Sequence, residues 1–282
     1  RDVYKRQIPT TGPADEKTVD LVDRIRAAEP EIENATGAKL ALTGQVTAMI
    51  DVSEKMAEAL PPYLVIVVGL SLVLLLLVFR SIIVPLVATL GFLLSLAAAF
   101  GATVAVYQLG WLGELFGVHT PGPIMSFLPI LLTGILFGLA MDYQMFLVTA
   151  MREAFVHGAS PGAAVRKGMK SAAPVVVAAA LIMISVFAGF IFSELAMIRP
   201  IGFALAFGVL FDAFVVRLTI TPAIMTLLGK HAWFIPRWLD KALPNVDVEG
   251  ESLSEEIAAA ERAADARKDA GKEGADKETV NA

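Results

Sequence analysis

A mainly α, polytopic membrane helix bundle of five spans, entered through the remnant of an α+β water-facing module, is the fold class this sequence predicts. Hydrophobic residues make up 56% of the 282-residue chain and the mean hydropathy is +0.67, more than a soluble domain of this size carries. Five apolar segments, at 62–79, 82–107, 124–151, 172–192 and 201–228, lie near or above the roughly 20 residues that cross about 30 Å of hydrocarbon. Residues 8–60, by contrast, are polar and amphipathic.

Composition also excludes function classes. Cysteine is absent, so disulfides and thiolate metal sites are out, and the three histidines show no ligand spacing; no metal or other cofactor is expected. The net charge of −5 is uneven: residues 246–282 hold eleven acids against five bases, which leaves the rest of the chain at +1. No nucleic-acid footprint is visible.

The chain starts at Arg1 without a basic-then-apolar leader and reads as a fragment, with 1–7 a non-native or fragment start. In 8–60, Gly12-Pro13 punctuates and Asp15 caps a helix whose stripe of Val19, Leu21, Val22 and Ile25 runs to a break at Glu29-Pro30. Lys39-Leu40-Ala41-Leu42-Thr43 alternates as a short strand ending at Gly44. A second helix from Gln45 to Leu60 enters the membrane through Pro61-Pro62. So few elements cannot hold an independent core, so more of this module is expected upstream.

The five spans make up 61–230, with a tight turn at Arg80-Ser81 between the first two. Loop charge sets the orientation: 108–123 has no Lys or Arg, 152–170 has four and 230–241 has three. The basic loops are therefore expected in the cytoplasm, the first module outside, and the tail inside. Residues 157–166, between Phe155 and Met169, read as a turn followed by a short basic helix at the membrane surface, which accounts for His157 without a catalytic role. Trp233, Phe234, Trp238 and Leu239 beside Arg237 and Lys241 suit a headgroup-level segment at 231–245. The tail, 246–282, is charged and expected to be disordered, apart from an Ala-rich helix at 254–268.

Chemistry points to two acids inside apolar spans. An ionisable group there is costly unless it faces a bundle interior or a water path, so each is a functional candidate. Gly134, Gly138 and Asp142 recur every four residues and share a helix stripe, which lets a neighbouring helix come close. Nine uncharged residues separate Asp142 from Arg152, and Asp is too short to snorkel well, so Asp142 is expected to face the bundle rather than lipid. The fifth span repeats the pattern with Ala204, Gly208 and Asp212, and Arg217 follows five residues on. On an ideal helix Asp212 and Arg217 lie about 140° apart, so direct pairing between them is not expected. Arg217 has two readings, a snorkelling cation or a member of a charge network.

Taken together, these residues resemble the MMPL family (mycobacterial membrane protein, large) of the resistance–nodulation–cell division superfamily. The resemblance rests on Thr43-Gly44-Gln45 with Ala48 and Asp51, Gly138 to Asp142-Tyr143, Phe211-Asp212 with Arg217 and Pro222, and the run Trp233 to Asp240. It implies the C-terminal half of a twelve-span, proton-motive-force-driven exporter in the bacterial inner membrane, with lipid or hydrophobic small-molecule cargo. Membrane lipids and the N-terminal half of the same transporter are the implied partners, and 8–60 would be the end of its extracytoplasmic porter domain. Asp142 and Tyr143 carry over as a proton relay, with Asp212 and Arg217 supporting it. A carboxyl in a low-dielectric site has its pKa raised, which suits that role.

Two other classes fit parts of the pattern. Two intramembrane acids also describe an aspartyl protease, but such enzymes resemble Gly-x-Gly-Asp and here Ala140 precedes Asp142 by two. A sterol-sensing or receptor-like protein of the same fold, without transport, is the second. The reading taken is a transporter, not an enzyme.

Overall fold

A computed structural model describes residues 5, 8–12, 15–118 and 120–243. Helix α1 (Glu16–Thr36) starts where the Asp15 side chain accepts from the Lys17 backbone N–H. It runs through Pro30 instead of breaking there and stops at Gly37, whose φ of +67° needs no Cβ-bearing residue and whose N–H reaches the Glu33 carbonyl. The carbonyl that Pro30 leaves unpaired lies on an exposed helix and can be hydrated. The strand expected at 39–43 does not form: 38–43 is irregular, with no neighbouring strand among the described residues to supply a ladder.

Helix α2 (Gln45–Phe79) is continuous through Pro61 and Pro62, as the sequence suggested, and its 35 residues span about 52 Å. The N-terminal half of α2 is tied to α1 through Arg26, which pairs with Asp51. Its membrane half leads to the tight turn. There Arg80, at a φ of +44° that is uncommon for a residue with a Cβ, is held by Asp240, with Nε and Nη2 at 3.1 and 2.7 Å from one carboxylate oxygen.

Helices α3 (Ile83–Thr103, ending in a π turn at Val104–Gln108), α4 (Leu128–Val156), α5 (Pro161–Ile191) and α6 (Arg199–Leu210) supply the next spans. A π-helical stretch, Phe211–Ile220, joins α6 to α7 (Thr221–Leu228) and completes the fifth. The basic turn expected as a separate surface helix is instead the start of α5, since nothing between Pro161 and Ala172 breaks the helix. All five helices are long and apolar enough to cross a membrane.

Helix α4 is central. At its basic end, Leu147, Val148 and Met151 pack with Leu75, Phe79, Val84, Val165 and Met225. Mid-bundle, Leu132, Leu136 and Ala140 pack with Phe92, Leu96, Ala204 and Val209. Arg152 Nη1 reaches the Val78 carbonyl at 2.5 Å, which ties α4 to α2. A 3₁₀ turn (Gly229–Trp233) and α8 (Arg237–Ala242) fold back under the bundle, where Ala232 O accepts from Ser81 Oγ at 2.7 Å and Trp233 stacks on Phe155 at 5.5 Å. Phe234 and Trp238 remain exposed there. The tail 246–282, with its expected helix at 254–268, lies outside the described residues.

Candidate functional site

The two intramembrane acids occupy opposite environments. Asp212 is 4% exposed and accepts a hydrogen bond from Ser95 Oγ of α3 at 2.9 Å. Its other oxygen pairs with Arg217 Nε, contrary to the expectation from ideal helix geometry. The local backbone is the reason. Phe211–Ile220 is π-helical, and the i→i+5 register brings residue 217 back over residue 212, where an α-helix would have carried it past.

The same guanidinium reaches α4: Arg217 Nη1 donates to Gln144 Oε1 at 3.4 Å. Ser95, Asp212, Arg217 and Gln144 thus form one buried polar chain across three spans. Snorkelling is ruled out for Arg217, which is 2% exposed. Gln144 and Ser95 escaped the sequence reading. Gln144 is the one carboxamide in α4, and that polarity in an apolar span was the signal available. Ser95 gave none, because a serine in a span usually bonds its own helix, as Ser95 also does to Gly91 O at 3.1 Å.

Asp142 differs in every respect. It is exposed on the outer face of α4 and makes no ion pair or hydrogen bond among the described residues. The expectation that it faces the interior of this bundle is therefore corrected. Leu132, Leu136, Ala140, Leu147 and Met151 define the inward face, and Asp142, about 200° on from Ala140, must point away. Gly138 shares the exposed face and a Cβ there would meet nothing within 4 Å. At Gly134, a Cβ would lie 2.8 Å from the Tyr63 hydroxyl of α2, so the stripe begins under a neighbour and opens toward Asp142. Tyr143, on the flank, donates its hydroxyl hydrogen to Met183 Sδ of α5 at 3.2 Å.

The third glycine named from the sequence behaves as a packing residue. A Cβ on Gly208 would lie 3.1 Å from Leu136 and 3.3 Å from Ala99, which lets the fifth span come close to α3 and α4. A tighter contact was not foreseen: a Cβ on Gly168 would lie 2.6 Å from the Met151 backbone nitrogen. Among the described residues no cluster of His, Asp or Glu could hold a metal ion.

The MMPL family pattern matches residues 3–245. Membrane protein YdfJ of Bacillus subtilis is 51% identical over 250 residues, covering 89% of this chain and 34% of that protein. The mycolic acid-containing lipids exporter MmpL11 of Mycolicibacterium smegmatis is 37% identical over 242 residues, 85% of this chain and 25% of the relative. A heme uptake protein, MmpL11 of Mycobacterium tuberculosis, is 38% identical over 226 residues, 80% of this chain and 23% of its own length. The chain spans about a third or less of the length of these relatives. With the family pattern over most of its length and five helices fit to cross a bilayer, the chain is a multi-pass membrane protein that belongs to the MMPL family.

Proposed function

We propose that this chain is part of the C-terminal half of a proton-motive-force-driven exporter of lipids or hydrophobic small molecules, in which Asp142 takes up and releases the proton. One observation carries the reading. Of the two acids within the spans, Asp212 is neutralised in place by Arg217, and Asp142 alone stands free of an ion pair on an exposed bundle face. A carboxyl there changes charge as its surroundings change from wet to apolar. Tyr143, next in sequence, can hydrogen-bond either state.

The exposed Gly138–Asp142 face is where the N-terminal half would dock, closing a relay between the two halves. The Asp212–Arg217 pair supports α4 from behind through Gln144. That arrangement also disfavours an aspartyl protease, which needs two carboxyls sharing one site, since Asp212 is satisfied by Arg217 and Ser95.

Cargo is argued from the relatives and from two cavities. One relative is named for mycolic acid-containing lipids and another for heme, so the shared property is a large hydrophobic or amphipathic molecule. Cavities of about 620 and 340 Å³ share Ser53, Ile124, Met125 and Ser126 at the outer end of the bundle, beside the helix that rises into the 8–60 module. They offer such cargo a place at this end of the bundle. The charge bias of the loops supports a topology with this end outside the cell and the tail in the cytoplasm; cysteines at Ser126 and Ser252 should then label from opposite sides of a sealed vesicle.

The deciding experiment is cargo flux driven by an imposed proton gradient in vesicles holding the full-length transporter. Asp142→Asn keeps shape but cannot exchange a proton, and flux is expected to fall more than about a hundredfold. Undiminished gradient-driven flux would remove Asp142 from the relay.

A further inference from the structure

The proposed relay occupies the outer face of α4; a second feature lies on the far side of α5. An open groove of about 850 Å³ runs between the first turns of α5 and the end of the last span, with Met169, Leu218, Pro222 and Ala223 along its floor and Arg166 and Lys170 on its rim. Arg166 and Lys170 are four residues apart and so share one helix face. Both are exposed, and among the described residues neither joins an ion pair.

Depth and direction narrow the occupant. The two cations precede the apolar run of α5 that begins at Ala172, which sets them at the level of the bilayer phosphates. The floor below them is apolar, and Leu227 at its edge is 86% exposed. Gly168, which packs on the α4 backbone at Met151, lies about 160° around the helix from both cations. The groove therefore faces away from α4 and from Asp142.

We propose that this groove binds one anionic phospholipid, its phosphate held by Arg166 and Lys170 and an acyl chain lying along Leu218, Pro222 and Leu227. Two juxtamembrane cations attract an anionic headgroup, and the chain covers apolar surface that neither water nor a free anion would cover. A docked protein helix would need its own acid at the rim, and beyond the two cations the lining offers it only the Thr226 hydroxyl, which already bonds the Pro222 carbonyl.

The test uses the full-length protein in mixed phosphatidylcholine and phosphatidylglycerol vesicles, followed by native mass spectrometry of the lipid retained on extraction. Retention of phosphatidylglycerol over phosphatidylcholine is expected in the unmodified protein. Arg166→Gln with Lys170→Gln should weaken it at least about tenfold. Ala223→Trp, which fills the floor and leaves both charges, should weaken it several-fold. Equal retention of the two lipids by the unmodified protein would overturn the proposal without recourse to any variant. So would displacement by glycerol phosphate alone, which would mark a free-anion site. Shielding of a Leu227→Cys thiol from a detergent-soluble apolar maleimide in extracted, delipidated protein would also overturn it, because protein would then cover the groove. None of these readouts depends on proton-driven flux, so the proposal stands or falls apart from the relay.

Discussion

Asp142 and Asp212 began as equivalent sequence signals, each an acid at the end of a small-residue stripe in an apolar span, and the fold separates them completely. Asp212 sits among helices on all sides and is held by Arg217 and Ser95. Asp142 sits on a face that these five helices leave open. The difference teaches that a buried acid with a fixed counter-charge is a structural brace, because removing either partner strands the other in a low dielectric. An acid free of such a partner can be replaced without stranding a counter-charge.

The largest expected effect on stability follows from that contrast. Arg217→Met leaves Asp212 buried and unpaired and should cost about 3–5 kcal/mol. Asp142→Asn should change stability by no more than about 0.5 kcal/mol, as surface substitutions do. Thermal unfolding of the two variants in one detergent measures both, and equal losses would break the comparison. Combining Asp212→Leu with Arg217→Met should recover much of the loss, since an apolar pair of similar volume can replace a buried ion pair.

The glycines sharpen it next. Gly168→Ala pushes a methyl against the Met151 backbone, which cannot yield as a side-chain tip can, and should destabilise by about 1–3 kcal/mol. Gly138→Ala meets open space and should stabilise this chain by itself by about 0.5–1 kcal/mol, the helix-propensity gain of Ala over Gly. In the full-length protein the same Gly138→Ala should lower stability, and no loss there would mean that nothing docks closely on that face.

The smallest effects concern single hydroxyls. Ser95→Ala removes one hydrogen bond to Asp212 and should cost about 1 kcal/mol of unfolding free energy. Tyr143→Phe should slow gradient-driven flux about fivefold, far less than Asp142→Asn, because water can replace one hydroxyl. A Tyr143→Phe defect as deep as that of Asp142→Asn would make the phenol an obligatory carrier.

Much of the fold was legible in the sequence because its signals are local. Five runs of apolar residues and a capping Asp15 each act within a few residues, and each appears where the pattern put it, within the blurring of helix ends. The strand at 39–43 failed because alternation proposes an edge but cannot supply the partner that makes it a strand. Pro30 failed as a stop because an exposed helix can leave one carbonyl to water.

The candidate site was half legible. Sequence alone determined that Asp142, Tyr143, Asp212 and Arg217 lie within apolar helices, because the cost of placing polar groups there makes them conspicuous. Only the tertiary structure decided which acid is braced and which is free. The π register at Phe211–Ile220 brings Arg217 onto Asp212, and the packing of α4 by its Leu132–Leu136–Ala140 face turns Asp142 outward. Neither can be read from spacing, because helix register and helix rotation are set by the neighbours each span packs against and not by the order of its own residues.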